Sequence, residues 1–135
     1  MELKTSSVRL ISLKQDTFRR ELLVKHGFPK DVISNYMPAT DFRDKFYSDA
    51  IDNIHLKYGP YHYGRALSAS EVGCALSHKE AYQSLFERGA ELGLVLEDDI
   101  RLGNEFIWAD VEKIFQSLFQ TLQRHQAFVV HLGCT

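Results

Sequence analysis

The segment with the clearest chemistry is an apolar run that ends in three consecutive carboxylates. Residues 93–96 read Gly-Leu-Val-Leu and lead directly into Glu97, Asp98 and Asp99. Neighbouring carboxylates repel one another by about 1 kcal/mol at 4 Å in bulk water, and more strongly where they are partly buried. A charge run can mark an ordinary solvated loop, but this one follows a predicted buried strand. Because carboxylate oxygens suit Mg²⁺ or Mn²⁺ better than softer metals, the run predicts a divalent cation site that also holds a phosphate.

Other side chains could serve such a site, and each has a simpler explanation. His78, beside Ser77 in a predicted helix, could bind a ligand or could be hydrogen-bonded at the edge of the core. Arg19 and Arg20 could reach a diphosphate as forked donors, although we expect one of the two to be simply exposed to solvent. Cys74 is expected to be a small buried hydrophobe rather than a nucleophile.

Elements that could position these residues follow from the apolar pattern. A strand is predicted over residues 8–13, then a helix that begins near Asp16 and ends at Gly27. Residues 29–66, interrupted by proline and glycine, are expected to form a mobile loop flanked by short helical turns. The aromatic residues of this loop could stack on a base or sugar, but core filling is the simpler explanation for most of them.

The second half of the chain contains two long predicted helices. The first begins with a capping box at Ser68 and ends at Gly89. Its predicted apolar face comprises Val72, Ala75, Leu76, Tyr82, Leu85 and Phe86. The second follows a turn at residues 103–104 and carries an apolar stripe of Ile107, Val111, Ile114, Phe115, Leu118 and Leu122, before a last strand over residues 128–132.

Alternation of strands and helices indicates an α/β fold with a Rossmann-type, mostly parallel sheet flanked by helices. Such sheets bind ligands at the carboxyl ends of their strands, where Glu97, Asp98 and Asp99 are predicted to lie. The 135 residues, of which 44% are hydrophobic and 25% charged, fit one domain over residues 1–135.

Composition excludes several classes of function. The formal net charge is −2 and the basic residues are scattered, so nucleic acid is not an expected partner. The two cysteines lack C-x-x-C spacing, which argues against a disulfide framework or a structural zinc site. The amino end has no leader pattern and the sequence contains no apolar run of about 18 residues, so we expect a cytoplasmic protein unless a missing portion anchors it.

Two segments taken together resemble glycosyltransferase family 25, which includes bacterial lipooligosaccharide galactosyltransferases. They are Gly-Cys-Ala-Leu-Ser-His at residues 73–78 and Leu-Val-Leu-Glu-Asp-Asp-Ile at residues 94–100. Upstream, residues 8–13 with Arg19 are similar to the family's first strand and helix, and residues 39–41 are similar to its Ala-Val-Asp-Gly segment. The resemblance extends over nearly the whole chain.

The resemblance implies a GT-A-type transferase that uses a UDP-sugar, such as UDP-galactose, and a glycan or lipooligosaccharide acceptor. It implies that Mn²⁺ or Mg²⁺ is held against the diphosphate by the acidic motif, with Asp99 as the first metal ligand and Glu97 as the second. It also implies a set of donor-pocket residues: Arg19, Asp41, Ser77, His78, Glu97 and Asp98. Lipopolysaccharide biosynthesis would place the protein in the cytoplasm, at the inner face of the membrane.

The sequence departs from the family pattern in three ways. Ser12 replaces an asparagine of the first strand, and Phe42 replaces the glycine after Asp41. Because these changes affect the donor loop, the resemblance does not determine which sugar the donor carries. Family members are also longer, and this sequence stops just after the last predicted strand. We therefore expect an incomplete domain that lacks the acceptor half and the catalytic base, and that binds donor and metal but transfers weakly or not at all alone.

Two other functions share some of these sequence features. The first is a non-catalytic interaction module, which would form homo-oligomers through an exposed sheet edge at residues 128–132. The second is a receiver-like phosphoacceptor domain, whose paired acids also bind Mg²⁺. Such a domain carries its acid pair after the first strand, whereas here the acids lie near residue 98, so the order of elements argues against it.

Overall fold

The fold is built on a small parallel sheet. A computed structural model describes residues 3–41, 68–100 and 107–122. Its strands are β1 (Val8–Ser12), β2 (Met37–Pro38) and β3 (Leu94–Glu97), in the order β2-β1-β3. Both neighbours run parallel to β1, which confirms the predicted α/β class. The predicted turn at residues 103–104 and strand at residues 128–132 lie outside the described residues.

Four helices connect or flank these strands. They are α1 (Thr17–Lys25), α2 (Lys30–Ser34), α3 (Ala69–Glu87) and α4 (Trp108–Leu122), and a 3₁₀ turn (Thr5–Ser7) precedes β1. Helix α2 agrees with the short helical turns expected at the edges of residues 29–66, whereas strand β2 was not expected there. Residues 42–66 of that stretch lie outside the described residues. In the described ranges, no helix combines the length and the apolar character that crossing a bilayer requires.

Local sequence signals set most helix ends. The Ser68 side chain accepts the Glu71 N–H, and the Glu71 carboxylate accepts the Ser68 N–H at 2.7 Å, so the capping box at the start of α3 is confirmed. Gly27 and Gly89 follow α1 and α3 with φ angles of 79° and 66°, which lie in the region that glycine adopts without steric cost. Asp16 is in the N-cap position of α1 but makes no side-chain cap hydrogen bond.

Replacing Ser68 with alanine tests how much this cap contributes. We expect the free energy of unfolding to fall by about 1 kcal/mol, because one donor in the first turn of α3 loses its partner. Urea unfolding followed by circular dichroism measures the change. Ser70 is also exposed in the first turn but is not the cap, so a Ser70→Ala control should change stability by less than about 0.5 kcal/mol. Equal effects of the two substitutions would contradict the prediction.

The main apolar core lies on one face of the sheet. Val8, Leu10 and Leu94 point to this face and are 2%, 1% and 8% exposed. The helices and loops packed there contribute a set of buried side chains: Leu23, Phe28, Val32, Trp108, Val111 and Phe115. The predicted stripe of α4 is thus correct at residues 111 and 115, whereas Ile107 and Ile114 are exposed.

Helix α3 covers the opposite face of the sheet, which carries Arg9 of β1. The Arg9 guanidinium donates to Ser84 Oγ of α3 at 2.9 Å. The side of α3 that is buried consists largely of small residues: Val72, Gly73, Ser77, Ala81 and Leu85. The predicted apolar face was therefore wrong in part, since Ala75, Tyr82 and Phe86 are exposed. Small residues allow a helix to approach a sheet closely, and hydropathy does not detect that preference.

Candidate functional site

A cleft opens where the three strands end. The Asp98 N–H donates to the Ile11 carbonyl at 3.1 Å, and the Ala39 N–H donates to the Ser12 carbonyl at 2.9 Å. Each bond extends the pairing just past the end of a strand. The chain segments then separate and leave a cavity of about 420 Å³ between the strand ends, α1 and α3. Parallel sheets bind ligands at this kind of position.

The structure brings all of the predicted site residues to this one cleft. Its lining includes Arg19, Asp41, Ser77, His78, Glu97, Asp98 and Asp99. It also includes polar residues that were not predicted to belong to the site: Ser12, Gln15, Asp16, Thr40, Ser70 and Cys74. That these side chains bind a donor stays a prediction, but their proximity is what such a function requires.

Strand alternation sends the first two acids to opposite sides of the cleft. Successive residues of a strand point to opposite faces of the sheet. Glu97 therefore points toward α3, where its Oε1 lies 2.8 Å from His78 Nε2. Asp98 points toward α1, where its Oδ1 accepts a hydrogen bond from Arg19 at 3.2 Å. Glu97 and Asp98 therefore belong to two separate sets of contacts and do not form one carboxylate cluster.

Asp98 is held by the protein itself. It is 9% exposed, and the Ser12 hydroxyl donates to its Oδ2 at 2.5 Å. Ser12 in turn accepts a hydrogen bond from Arg20 Nη1 at 2.5 Å. Because Asp98 is almost buried and each of its oxygens already accepts a hydrogen bond, it is better placed to shape the cleft than to be a principal metal ligand.

The two adjacent arginines of α1 have different roles. Arg20 is 8% exposed, donates to the carbonyls of Leu13 and Lys14 at 2.7 and 3.0 Å, and lies 4.0 Å over the ring of Tyr36. Arg19 is half-exposed at the cleft, and its hydrogen bond with Asp98 raises the pKa of its guanidinium. Arg19 is thus the one of the pair that can meet a ligand.

Ser77 ties the segment after β2 to α3. Its hydroxyl donates to the Gly73 carbonyl at 2.8 Å and accepts the Thr40 N–H at 2.9 Å. It is 3% exposed. Ser77 therefore positions the segment that carries Asp41, and it has no proton left to donate to a ligand.

Cys74 is exposed at the cleft, so its expected burial was wrong. It lies one helical turn before His78, and its Sγ faces Glu97 Oε1 at 3.9 Å. Partial desolvation, together with the nearby Glu97 carboxylate, raises the pKa of the Cys74 thiol. Cys74, His78 and Glu97 present ligand atoms that all lie within 4.8 Å of one another, and Asp99 is not part of this group.

Asp99 is the exposed member of the acidic run. It lies at the rim of the same cleft, in the turn that follows β3. Its exposed carboxylate, two residues after Glu97 in the sequence, offers hard oxygen atoms to a cation. The positions of Glu97 and Asp99 are therefore compatible with the predicted Mg²⁺ or Mn²⁺ site.

Some cleft residues could have been found from the sequence by one further step. Ser12 ends β1 and Thr40 follows β2, so the rule that placed the acids at a strand end applies to both. Strand β2 was missed because two residues that include Pro38 carry no strand pattern. Cys74 is the i−4 neighbour of His78 on a helix, and this spacing was the signal available for it.

Comparisons with known proteins agree with the arrangement of the cleft. The family model described as glycosyltransferase family 25 (LPS biosynthesis protein) matches residues 6–133. The chain is 28% identical over 124 residues to procollagen galactosyltransferase 1 of Danio rerio, which covers 88% of this chain and 19% of the relative. No solved structure gives a significant match.

Two further relatives have similar coverage. A glycosyltransferase 25 family member of Anopheles gambiae is 31% identical over 74% of this chain and 17% of its own length. The inactive glycosyltransferase 25 family member 3 of Homo sapiens is 32% identical over 73% of this chain and 17% of its own length. The chain thus spans less than a fifth of the length of these relatives. Since the family model extends across the strands, α3 and the acidic run that form the cleft, the chain belongs to glycosyltransferase family 25.

Proposed function

We propose that this chain forms the donor-binding part of a glycosyltransferase, which holds a UDP-sugar through a divalent cation. The observation that carries the proposal is the cleft at the strand ends, which gathers Arg19, His78, Glu97 and Asp99 around one cavity. A metal-bound diphosphate needs negatively charged ligands for the cation and a positively charged group for its phosphate oxygens. The cleft offers both, as carboxylates and as a guanidinium.

Glu97 and Asp99 are the residues proposed to hold Mn²⁺ or Mg²⁺. Both are exposed at the cleft, whereas the oxygens of Asp98 are engaged by Ser12 and Arg19. The bound cation would neutralise negative charge on the departing nucleoside diphosphate. The carboxylate oxygens of Glu97 and Asp99 are suitable ligands for a hard cation that retains some of its water molecules.

The remaining residues would orient the donor. Arg19 is anchored by Asp98 on one side while half of its side chain stays exposed, so it can present a guanidinium N–H to a phosphate oxygen. The Ser77 hydroxyl accepts the Thr40 N–H and thereby positions the segment that brings Asp41 to the cleft.

Galactose is the proposed sugar and a glycan the proposed acceptor. They are supported by the similarity to a procollagen galactosyltransferase of Danio rerio and by the family's description as a lipopolysaccharide biosynthesis protein. A second candidate function is a non-catalytic binding module. It is favoured by the similarity to a human family member named as inactive.

Calorimetry with UDP-galactose in the presence and absence of Mn²⁺ tests donor binding. We expect binding that requires the cation and disappears when EDTA removes it. Asp99→Ala should weaken Mn²⁺-dependent binding by at least about tenfold, because the cation loses a ligand. Glu91→Ala removes an exposed carboxylate outside the cleft and should leave binding unchanged.

Two outcomes would speak against the proposal. One is UDP-galactose binding that is the same with and without Mn²⁺, and the other is an Asp99→Ala variant that binds as the wild type does. Parallel titrations with UDP and UDP-glucose show whether the sugar contributes to affinity. Release of galactose from bound donor, followed by chromatography, would separate a catalytic domain from a binding module.

A further inference from the structure

A thiol, an imidazole and a carboxylate meet on the α3 side of the cleft. We propose that Cys74, His78 and Glu97 form a binding site for Zn²⁺, separate in its ligand chemistry from the oxygen site proposed for Mn²⁺ or Mg²⁺. A thiolate and an imidazole are ligands that Zn²⁺ favours, and three protein ligands leave its fourth position open.

The distances are close to those that zinc requires. Zn²⁺ bonds of about 2.0–2.3 Å in a tetrahedral arrangement separate neighbouring ligand atoms by about 3.3–3.6 Å. Here His78 Nε2 and Glu97 Oε1 are 2.8 Å apart, Cys74 Sγ and Glu97 Oε1 are 3.9 Å apart, and all three atoms lie within 4.8 Å. Shifts of about an ångström in these distances, which rotation of the side chains can produce, would bring the three atoms into zinc-binding geometry.

The backbone holds the three residues in suitable positions. Cys74 and His78 are one turn apart on α3, so their side chains lie on the same side of that helix. Glu97 is the last residue of β3 and is paired with Ile11 in the sheet. Helix α3 contacts both β1 and β3, so the two elements that carry the ligands are packed together. A bound ion would therefore require little ordering of the backbone.

Ligand chemistry separates this site from the hard-cation site. Nitrogen and sulfur ligands bind Zn²⁺ more tightly than they bind Mn²⁺, and thiolate is a poor ligand for Mg²⁺. Glu97 belongs to both sites. If the proposed function is correct, Zn²⁺ and the donor-bound cation would compete for this carboxylate, and Zn²⁺ would inhibit donor binding. The binding of Zn²⁺ itself does not depend on that function.

Cobalt substitution under anaerobic, reducing conditions tests the site without any nucleotide. Co²⁺ should bind the full, metal-free chain with one ion per chain and give a thiolate-to-metal charge-transfer band. Zn²⁺ should remove that band, whereas excess Mg²⁺ should leave it intact. Cys74→Ser should abolish the band and weaken Zn²⁺ binding at least about tenfold, and His78→Gln should also weaken Zn²⁺ binding by at least that factor.

Cys134→Ser is the matched control, because it removes the other cysteine of the chain and should leave the band and the Zn²⁺ affinity unchanged. Thermal unfolding of each variant checks that the substitution leaves the fold intact. A Cys74→Ser variant that keeps the band, or a wild type that binds Co²⁺ without one, would overturn the proposal. Failure of UDP-galactose to bind would refute the proposed function alone, since the Zn²⁺ titration contains no nucleotide.

Discussion

Replacing Arg20 with alanine is expected to lower the free energy of unfolding by about 3 kcal/mol. Arg20 is 8% exposed and donates hydrogen bonds to Ser12 Oγ and to two backbone carbonyls. Each hydrogen bond from a charged group contributes about 1.5–3 kcal/mol in isolation, and truncation also leaves buried acceptors without a donor. Loss of the contact with the ring of Tyr36 adds about 0.5–1 kcal/mol. Because these effects are not additive, the expected total is below their sum.

Arg19→Ala is the matched control, since it removes the same side chain one residue earlier. Arg19 is half-exposed and its ion pair with Asp98 is partly solvated, so the loss should stay below about 1 kcal/mol. Equilibrium urea unfolding of both variants measures the difference. Similar midpoints for Arg19→Ala and Arg20→Ala would mean that Arg20 does not hold the segment after β1.

Asp98→Ala should lower the free energy of unfolding by about 2–3 kcal/mol. The substitution removes the acceptor of the Ser12 hydroxyl and one partner of Arg19, in a position that is 9% exposed. Most of the cost comes from the buried Ser12 side, because water screens the bond to Arg19. Asp98→Asn keeps acceptor oxygen at this position and should recover part of the loss.

Asp99→Ala is the neighbouring control for stability. This exposed residue follows the same strand, and its removal should change the free energy of unfolding by no more than about 0.5 kcal/mol. The same urea titration measures both variants. If Asp99→Ala were as destabilising as Asp98→Ala, the division between a structural carboxylate and one available to a ligand would be wrong.

Local patterns predicted the fold well wherever the responsible residues are close in sequence. Ser68 and Glu71 predict the start of α3, and Gly27 and Gly89 predict where helices end. These signals are local because capping and positive φ angles depend on a few neighbouring residues. Burial was harder to predict. Tyr82 and Phe86 are apolar but exposed, while Ser77 is buried, because packing of α3 on the sheet favours small side chains over apolar ones.

For the candidate site, the sequence indicated which residues share an edge but not what each one contacts. The rule that ligands bind at strand ends located Glu97, Asp98 and Asp99 correctly at the cleft. Which of these acids is held by the protein and which is available to a ligand depends on Ser12, which is 86 residues from Asp98 in the sequence. Contacts between such distant positions have no local signature in the sequence.

The alternation along β3 limits how this cleft can change during evolution. Leu94 pairs with Val8 and Glu97 pairs with Ile11, so adding or deleting one residue between them would exchange the sides to which the acids project. The carboxylate now near His78 would then meet α1, and the one now near Arg19 would meet α3. Point substitutions can therefore tune the specificity of the cleft, whereas a single-codon insertion or deletion within β3 would dismantle it.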